Sequence, residues 1–143
     1  MHVSGWMIYG QDLPREASCI ADIPDGFRPQ PIGSRAKILS AIREVAPYSR
    51  FDPEAGCGTI SFPGCSIEFS IGQEDPCVCI SFEVRAITQQ GITLIADILD
   101  RLKLRALQTG ESGDFFDRAT AMAAYLSWRN YHRQIISPSG RLQ

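Results

Sequence analysis

The sequence is poor in the features that usually announce a function. No apolar run approaches the roughly 20 residues needed to span a bilayer. The stretch from Met1 to Tyr9 has no basic segment followed by an apolar core, so neither a membrane span nor a signal peptide is expected. Charge of one sign is missing as well. The 14 Lys and Arg against 16 Asp and Glu leave a net charge of −2, and the basic residues are scattered. Neutralising phosphates takes clustered Lys and Arg, so neither a nucleic acid nor an anionic membrane surface is an expected partner. Histidine is scarce: His2 and His132 are the only two, and both lie near the ends of the chain. A nucleophilic cysteine wants an imidazole beside it, so cysteine catalysis has little to draw on.

The five cysteines are Cys19, Cys57, Cys65, Cys77 and Cys79. An odd count without a secretion signal favours free thiols in a reducing, cytoplasmic compartment. Cys77 and Cys79 stand one residue apart, which is the wrong spacing for the C-x₂₋₄-C knuckles of structural zinc. The glycines are no more informative. Gly56-Cys57-Gly58 and the pair Gly110 and Gly113 do not follow a strand and open a helix in the full dinucleotide pattern, and neither carries the lysine of a phosphate loop. Asp114 reads as a helix N-cap. No catalytic residue, no metal and no cofactor is therefore expected.

What is present is an ordinary globular chain. At 143 residues, 44% hydrophobic and 21% charged, it fits a single domain over 1–143 that buries its own core, with 135–143 as a frayed tail. Gly5 to Tyr9 reads as a first strand with Trp6 and Ile8 on one face and Met7 and Tyr9 on the other. Pro14, Pro24, Pro29 and Pro31 keep residues 10–33 irregular. Ser34 caps a first helix that stops before Pro47, with Ile38, Leu39, Ile42 and Val45 as its apolar stripe.

The next forty residues alternate most clearly. After a short run from Gly58 to Phe62, Pro63-Gly64 turns the chain. Cys65, Ile67, Phe69 and Ile71 then alternate with Ser66, Glu68 and Ser70, and Val78, Ile80, Phe82 and Val84 alternate with Cys79, Ser81, Glu83 and Arg85. Matching apolar faces pairs Phe62 with Cys65, Ile60 with Ile67, Ile71 with Val78, Phe69 with Ile80 and Glu68 with Ser81, an antiparallel meander. A second helix is expected over about Gln90–Lys103 and a last strand over Leu104–Gln108. A third helix is expected from Asp114 to about Gln134, with Phe115, Ala119, Met122 and Leu126 turned inward. The expected architecture is α+β, order β-α-β-β-β-α-β-α: a mainly antiparallel sheet of four to five strands with three helices.

The segment Leu102 to Glu111, ending Gln108-Thr-Gly-Glu111 and followed by Asp114-Phe115-Phe116, resembles small bacterial α+β proteins of unassigned function. Ser66 to Glu68 and Phe82 to Arg85 resemble their central strands. The resemblance spans about half the chain, and the chain departs from the pattern by inserting Ser112-Gly113 and by a longer C-terminal helix. Some such proteins look immunity-like, which implies a protein partner, such as a basic toxin domain.

Two functions from different classes follow. The first is a non-catalytic bacterial binding protein, immunity-like, that meets its protein partner with the polar face of the sheet. Glu68, Glu83, Arg85, Ser66 and Ser81 lie on that face, and acidic faces suit basic partners. Trp128 and Tyr131, with Tyr125 at helical spacing, form a second candidate surface. The alternative is a small enzyme or small-ligand-binding protein with a Glu68/Glu83/Arg85 cleft under the 10–33 loop. A pocket enclosing those three side chains favours the alternative, and a flat acidic face favours the partner.

Overall fold

The computed structural model describes residues 6–86, 88–109, 115–116, 122–123, 125–126 and 129–130. Along the chain come β1 (Trp6–Gln11), a short 3-10 turn (Ile20–Asp22), α1 (Arg35–Val45), β2 (Arg50–Asp52), β3 (Cys57–Phe62), β4 (Cys65–Ser70), β5 (Cys79–Ala86), α2 (Gln89–Leu102), β6 (Arg105–Gln108) and β7 (Phe115–Phe116). The strands form one antiparallel sheet in the order β2-β3-β4-β5-β1-β6-β7.

The helices start where a side chain can satisfy a bare N–H. Ser34 Oγ accepts from Lys37 N at 3.1 Å, and Thr88 Oγ1 accepts from Gly91 N at 3.2 Å. α2 ends with Lys103 in the left-handed region (φ 57, ψ 43), and Leu104 N returns to Leu99 O at 3.0 Å. Both helices pack on one face of the sheet. Ile38 and Ile42 of α1 and Ile92, Ile95, Ile98 and Leu99 of α2 bury against Ile8, Ile60, Ile67, Ile80, Phe82 and Val84. The approach is close: a Cβ on Gly10 would stand 2.8 Å from Leu99 and 2.9 Å from Ile80, so α2 rests directly on β1 there.

The expected count of elements is corrected. Among the described residues the sheet has seven strands rather than four or five, and there are two full α-helices rather than three. β2 is three residues long, too short to show an alternation. β7 overturns the start of the expected third helix. Phe115 and Phe116 are both buried because they point to opposite faces of the sheet. Phe116 joins the main core, edge-on to Trp6 with ring centroids 6.1 Å apart, and Phe115 joins a second cluster with Leu13 and Ala17. Further on, residues 122–123, 125–126 and 129–130 are helical. Met122 and Leu126, expected inward, are 37% and 39% exposed, while Tyr125 packs against the core. The tail 135–143 lies outside the described residues.

The β3–β4 register is the expected one, with Phe62 opposite Cys65 and Ile60 opposite Ile67. The β4–β5 register differs by two residues. Phe69 faces Phe82, Ser70 faces Ser81, and Glu68 faces Glu83 rather than Ser81. The cause is the connection. Residues 71–78 do not turn straight back but bond elsewhere. Ile71 N and Gly72 N donate to Gly56 O at 2.9 and 3.2 Å, and Cys77 bridges Gly33 through Cys77 N to Gly33 O (2.8 Å) and Ile32 N to Cys77 O (2.7 Å). Those bonds hold the end of the 10–33 loop against the sheet and delay the return strand.

Candidate functional site: the open half of the sheet

The face of the sheet away from the helices divides into two halves. Over β6 and β7 it is covered. Residues 12–27 fold back there, and Leu13 and Ala17 cluster with Phe115 while Ile23, Phe27 and Leu107 pack around them. Arg105 holds this strap. Its guanidinium lies 4.1 Å over the Phe115 ring and donates to Pro14 O. Over β2 to β5 no described residue packs on the same face, and Arg50, Asp52, Thr59 and Glu68 are exposed there.

The register sets that open half in rows. Arg50, Thr59, Glu68, Glu83 and Met7 form one, and Asp52, Cys57, Ser70, Ser81 and Tyr9 form the next. Glu68 and Glu83 are thus direct cross-strand neighbours, a like-charge pairing that costs stability unless a cation answers it. Arg85 supplies the cation. Ser66 pairs with Ala86 and Ile67 with Val84, which leaves Arg85 as the extra residue of a bulge. Its Nη2 lies 3.5 Å from Glu68 Oε1 and 3.4 Å from Glu83 Oε2. Both contacts are long for charge-assisted hydrogen bonds. The side chains of Arg85, Glu68 and Glu83 are 57%, 47% and 33% exposed, so this is a solvated triad.

A depression of about 610 Å³ lies over this face, with Met7, Arg50, Asp52, Thr59, Glu68, Ser70, Ser81 and Glu83 in its lining. Arg85 stands outside this lining, and the described strap of residues 12–27 packs over β6 and β7 rather than over Glu68 and Glu83. Ser81 lines the depression, while Ser66, half-buried, lies one row away beside Ser61. Trp128 and Tyr131 lie outside the described residues, and Tyr125, their expected companion, is half-buried with the Arg129 guanidinium 5.6 Å over its ring. Sequence reasoning misses the row partners Arg50 and Asp52, because nothing in a three-residue strand signals its place beside β3.

The thiols do not gather. Cys65 and Cys77 are buried, Cys19 and Cys79 half-buried, and Cys57 is exposed at the rim of the depression. Burial pushes the Cys65, Cys77 and Cys79 thiols up from the usual range. The Thr88 backbone partly opposes this at Cys65 and the Gln11 side chain at Cys79, while at Cys77 the Asp75 charge adds to it and Arg35 opposes it. Raised thiols are poor nucleophiles. Among the described residues no three His, Cys, Asp or Glu side chains are placed to hold a metal ion, and no helix is long and apolar enough to cross a membrane. No family model matches the chain, and no curated protein or solved structure is measurably similar to it.

Proposed function

We propose that the chain is a non-catalytic binding protein that takes a basic protein surface on the open half of its sheet. One observation carries this reading: Glu68 and Glu83 stand side by side across β4 and β5, both reached by solvent, and among the described residues Arg85 alone lies within ion-pair distance of them. A partner arginine or lysine entering the depression gains two carboxylates already held together, and it displaces only a weak, solvated contact of Arg85. The hydroxyls of Thr59, Ser70 and Ser81 around the pair suit the polar rim of an interface. The resemblance to small bacterial proteins, some immunity-like, suggests the class of partner, a basic toxin domain.

The test is a pull-down from the source cells, with the retained protein identified and its Kd measured for the wild type and for Glu68→Ala with Glu83→Ala. A basic partner whose affinity falls at least about tenfold in the variant, and falls less at high salt, supports the reading. Equal affinity for both moves the interface off this face.

The depression itself favours a second reading, a small-ligand site. Its volume of about 610 Å³ lies within the usual range for small-molecule pockets. Here the same double variant loses a low-molecular-weight ligand detectable by mass spectrometry of the native protein.

A further inference from the structure

β2 is the outermost strand of the sheet, and its outer edge has no strand partner among the described residues. In an antiparallel ladder the N–H and C=O of one residue point to the same side, and successive residues alternate. The Arg50 carbonyl points at β3, where it would lie 2.0 Å from a Cβ on Gly58, and the Asp52 carbonyl accepts from Gly56 N at 2.9 Å in the hairpin. By alternation the N–H and C=O of Phe51 face outward. Arg50 and Asp52 flank it, both exposed and both on the open face, and Arg50 makes no ion pair among the described residues.

This edge is complementary to itself. We propose that β2 pairs antiparallel with β2 of a second copy, around a two-fold axis at Phe51, so that Arg50 of each copy meets Asp52 of the other. Phe51 N–H and C=O then exchange two hydrogen bonds across the axis. The Arg50 to Asp52 positions become the non-hydrogen-bonded pairs on either side, in which side chains approach more closely. A two-fold contact uses the same patch twice, as this charge pattern requires. The two open faces join into one surface with the two depressions side by side, an arrangement independent of what the depressions bind.

The pairing is short. In this register the next outward pair sets Ser49 against Pro53, which has no N–H, and Ser49 N already donates to Ala46 O (3.0 Å), so neither end extends the ladder. Arg35, whose guanidinium lies 5.6 Å over the Phe51 ring and donates to Pro53 O and Gly72 O, brings its own charge toward its copy. The contact therefore falls in the small, transient class, with a Kd of about 10⁻⁴ to 10⁻³ M.

The test follows the Phe51 amide resonance and the sedimentation of the full chain between ~10 μM and ~1 mM. The wild type shifts with concentration and sediments toward a dimer. Arg50→Asp sets two carboxylates against each other on either side of the axis, and Asp52→Arg sets two guanidinium groups there. Each change alone loses self-association by about tenfold or more. In an equimolar mixture of the two, one chain carries two acidic residues and the other two basic ones, so both cross-axis pairs are again opposite in charge. The mixture associates within about threefold of the wild type. Asp52 also caps its own turn through Glu54 N (3.0 Å) and Ala55 N (3.4 Å), so Asp52→Asn, which keeps the acceptor, serves as a second variant and weakens association in the same direction. A wild type that stays monomeric to ~1 mM overturns the proposal. So do charge-reversed chains that associate as the wild type does, a mixture no better than its components, or an Asp52→Asn chain that associates unchanged.

Discussion

The two faces of the sheet are built from the same strands and the same alternation, yet they are held to different standards. On the helix side the central positions are committed. Ile8, Ile60, Ile67, Ile80, Phe82 and Val84 are fully buried, and even the hydrogen of Gly10 is needed to let α2 approach. On the other side Thr59, Glu68, Ser81 and Glu83 occupy the intervening positions of β3, β4 and β5 and keep much of their contact with water. Close packing makes the first face intolerant of a lost methyl group. The second face is free to carry chemistry at little cost to the fold, and there two carboxylates lie opposite each other. Where the second face has to pack, over β6 and β7, the chain recruits a strap and one arginine to do it.

The sharpest way to break this contrast is Phe82→Ala. Phe82 is fully buried between Ile8 on β1 and Phe69 on β4. The change removes a large side chain from a core that cannot collapse around the gap, so a loss of about 3–5 kcal/mol in urea denaturation is expected. A loss below about 1 kcal/mol is what surface sites give, and it would mean the faces are exchanged.

A smaller effect comes from pH. Cys65 and Cys77 are held above their ordinary range chiefly by burial, as is half-buried Cys79. An unfolded thiol ionises near about 8.5. Below that value both states keep the proton and the contribution to stability is intact. As pH rises through it, the unfolded chain releases protons that the folded chain retains, and stability falls until the raised folded values are passed. Urea midpoints should therefore drop between about pH 7.5 and about pH 9.5, and the drop should shrink when Cys65 is replaced by Ala. In the folded protein, alkylation at about pH 8 should reach exposed Cys57 before Cys65 or Cys77. Labelling of Cys65 at the rate of Cys57 would place that thiol in water.

How much of this is legible in the sequence depends on length and on what a register slip changes. Six residues of alternation from Cys65 to Ser70, and eight from Cys79 to Ala86, suffice to assign faces, and Ser34 before Arg35 suffices to start a helix. A slip of one residue between β4 and β5 would put Phe69 in water and is excluded by pattern alone. A slip of two leaves every side chain on its own face, so pattern cannot see it. That is why matching faces sets Glu68 against Ser81 instead of Glu83. The deciding bonds, from Cys77 to Gly33 and from Ile71 and Gly72 to Gly56, are backbone contacts between distant segments, which leave no mark in residue type. β2 is too short for any period to be read. At β7 the adjacent Phe115 and Phe116 fit a helix flank as well as a two-sided strand, and only the presence of the strap distinguishes them.

A finer effect is expected at the end of α2. Lys103 is exposed and held at φ 57, where a side chain with a Cβ is strained by roughly 1–2 kcal/mol. Glycine relieves the strain and adds freedom to the unfolded chain, and the two partly cancel. Lys103→Gly should thus raise stability by about 0.5–1 kcal/mol. A loss in thermal denaturation would show that the lysine side chain has a role that outweighs its backbone.

The smallest change in stability is expected on the open face, and there the order of the variants matters more than their size. Glu68 and Glu83 repel across the strands, and Arg85 is attracted to both at 3.5 and 3.4 Å. The three side chains are 33% to 57% exposed, so water screens each term to about a few tenths of a kcal/mol. Removing both carboxylates deletes the repulsion together with the two attractions, and it leaves one arginine that is already 57% exposed and can solvate freely. The double change Glu68→Ala with Glu83→Ala should therefore move stability by less than ~0.5 kcal/mol. Removing Arg85 alone deletes the attractions and keeps the repulsion, so Arg85→Ala should destabilise more than the loss of two charged residues does. Raising the salt to about 1 M shortens the screening length to roughly 3 Å and should bring the two variants together. A double variant that melts far below Arg85→Ala would mean that the carboxylates are holding the sheet together, and the open face would then have to be counted with the core.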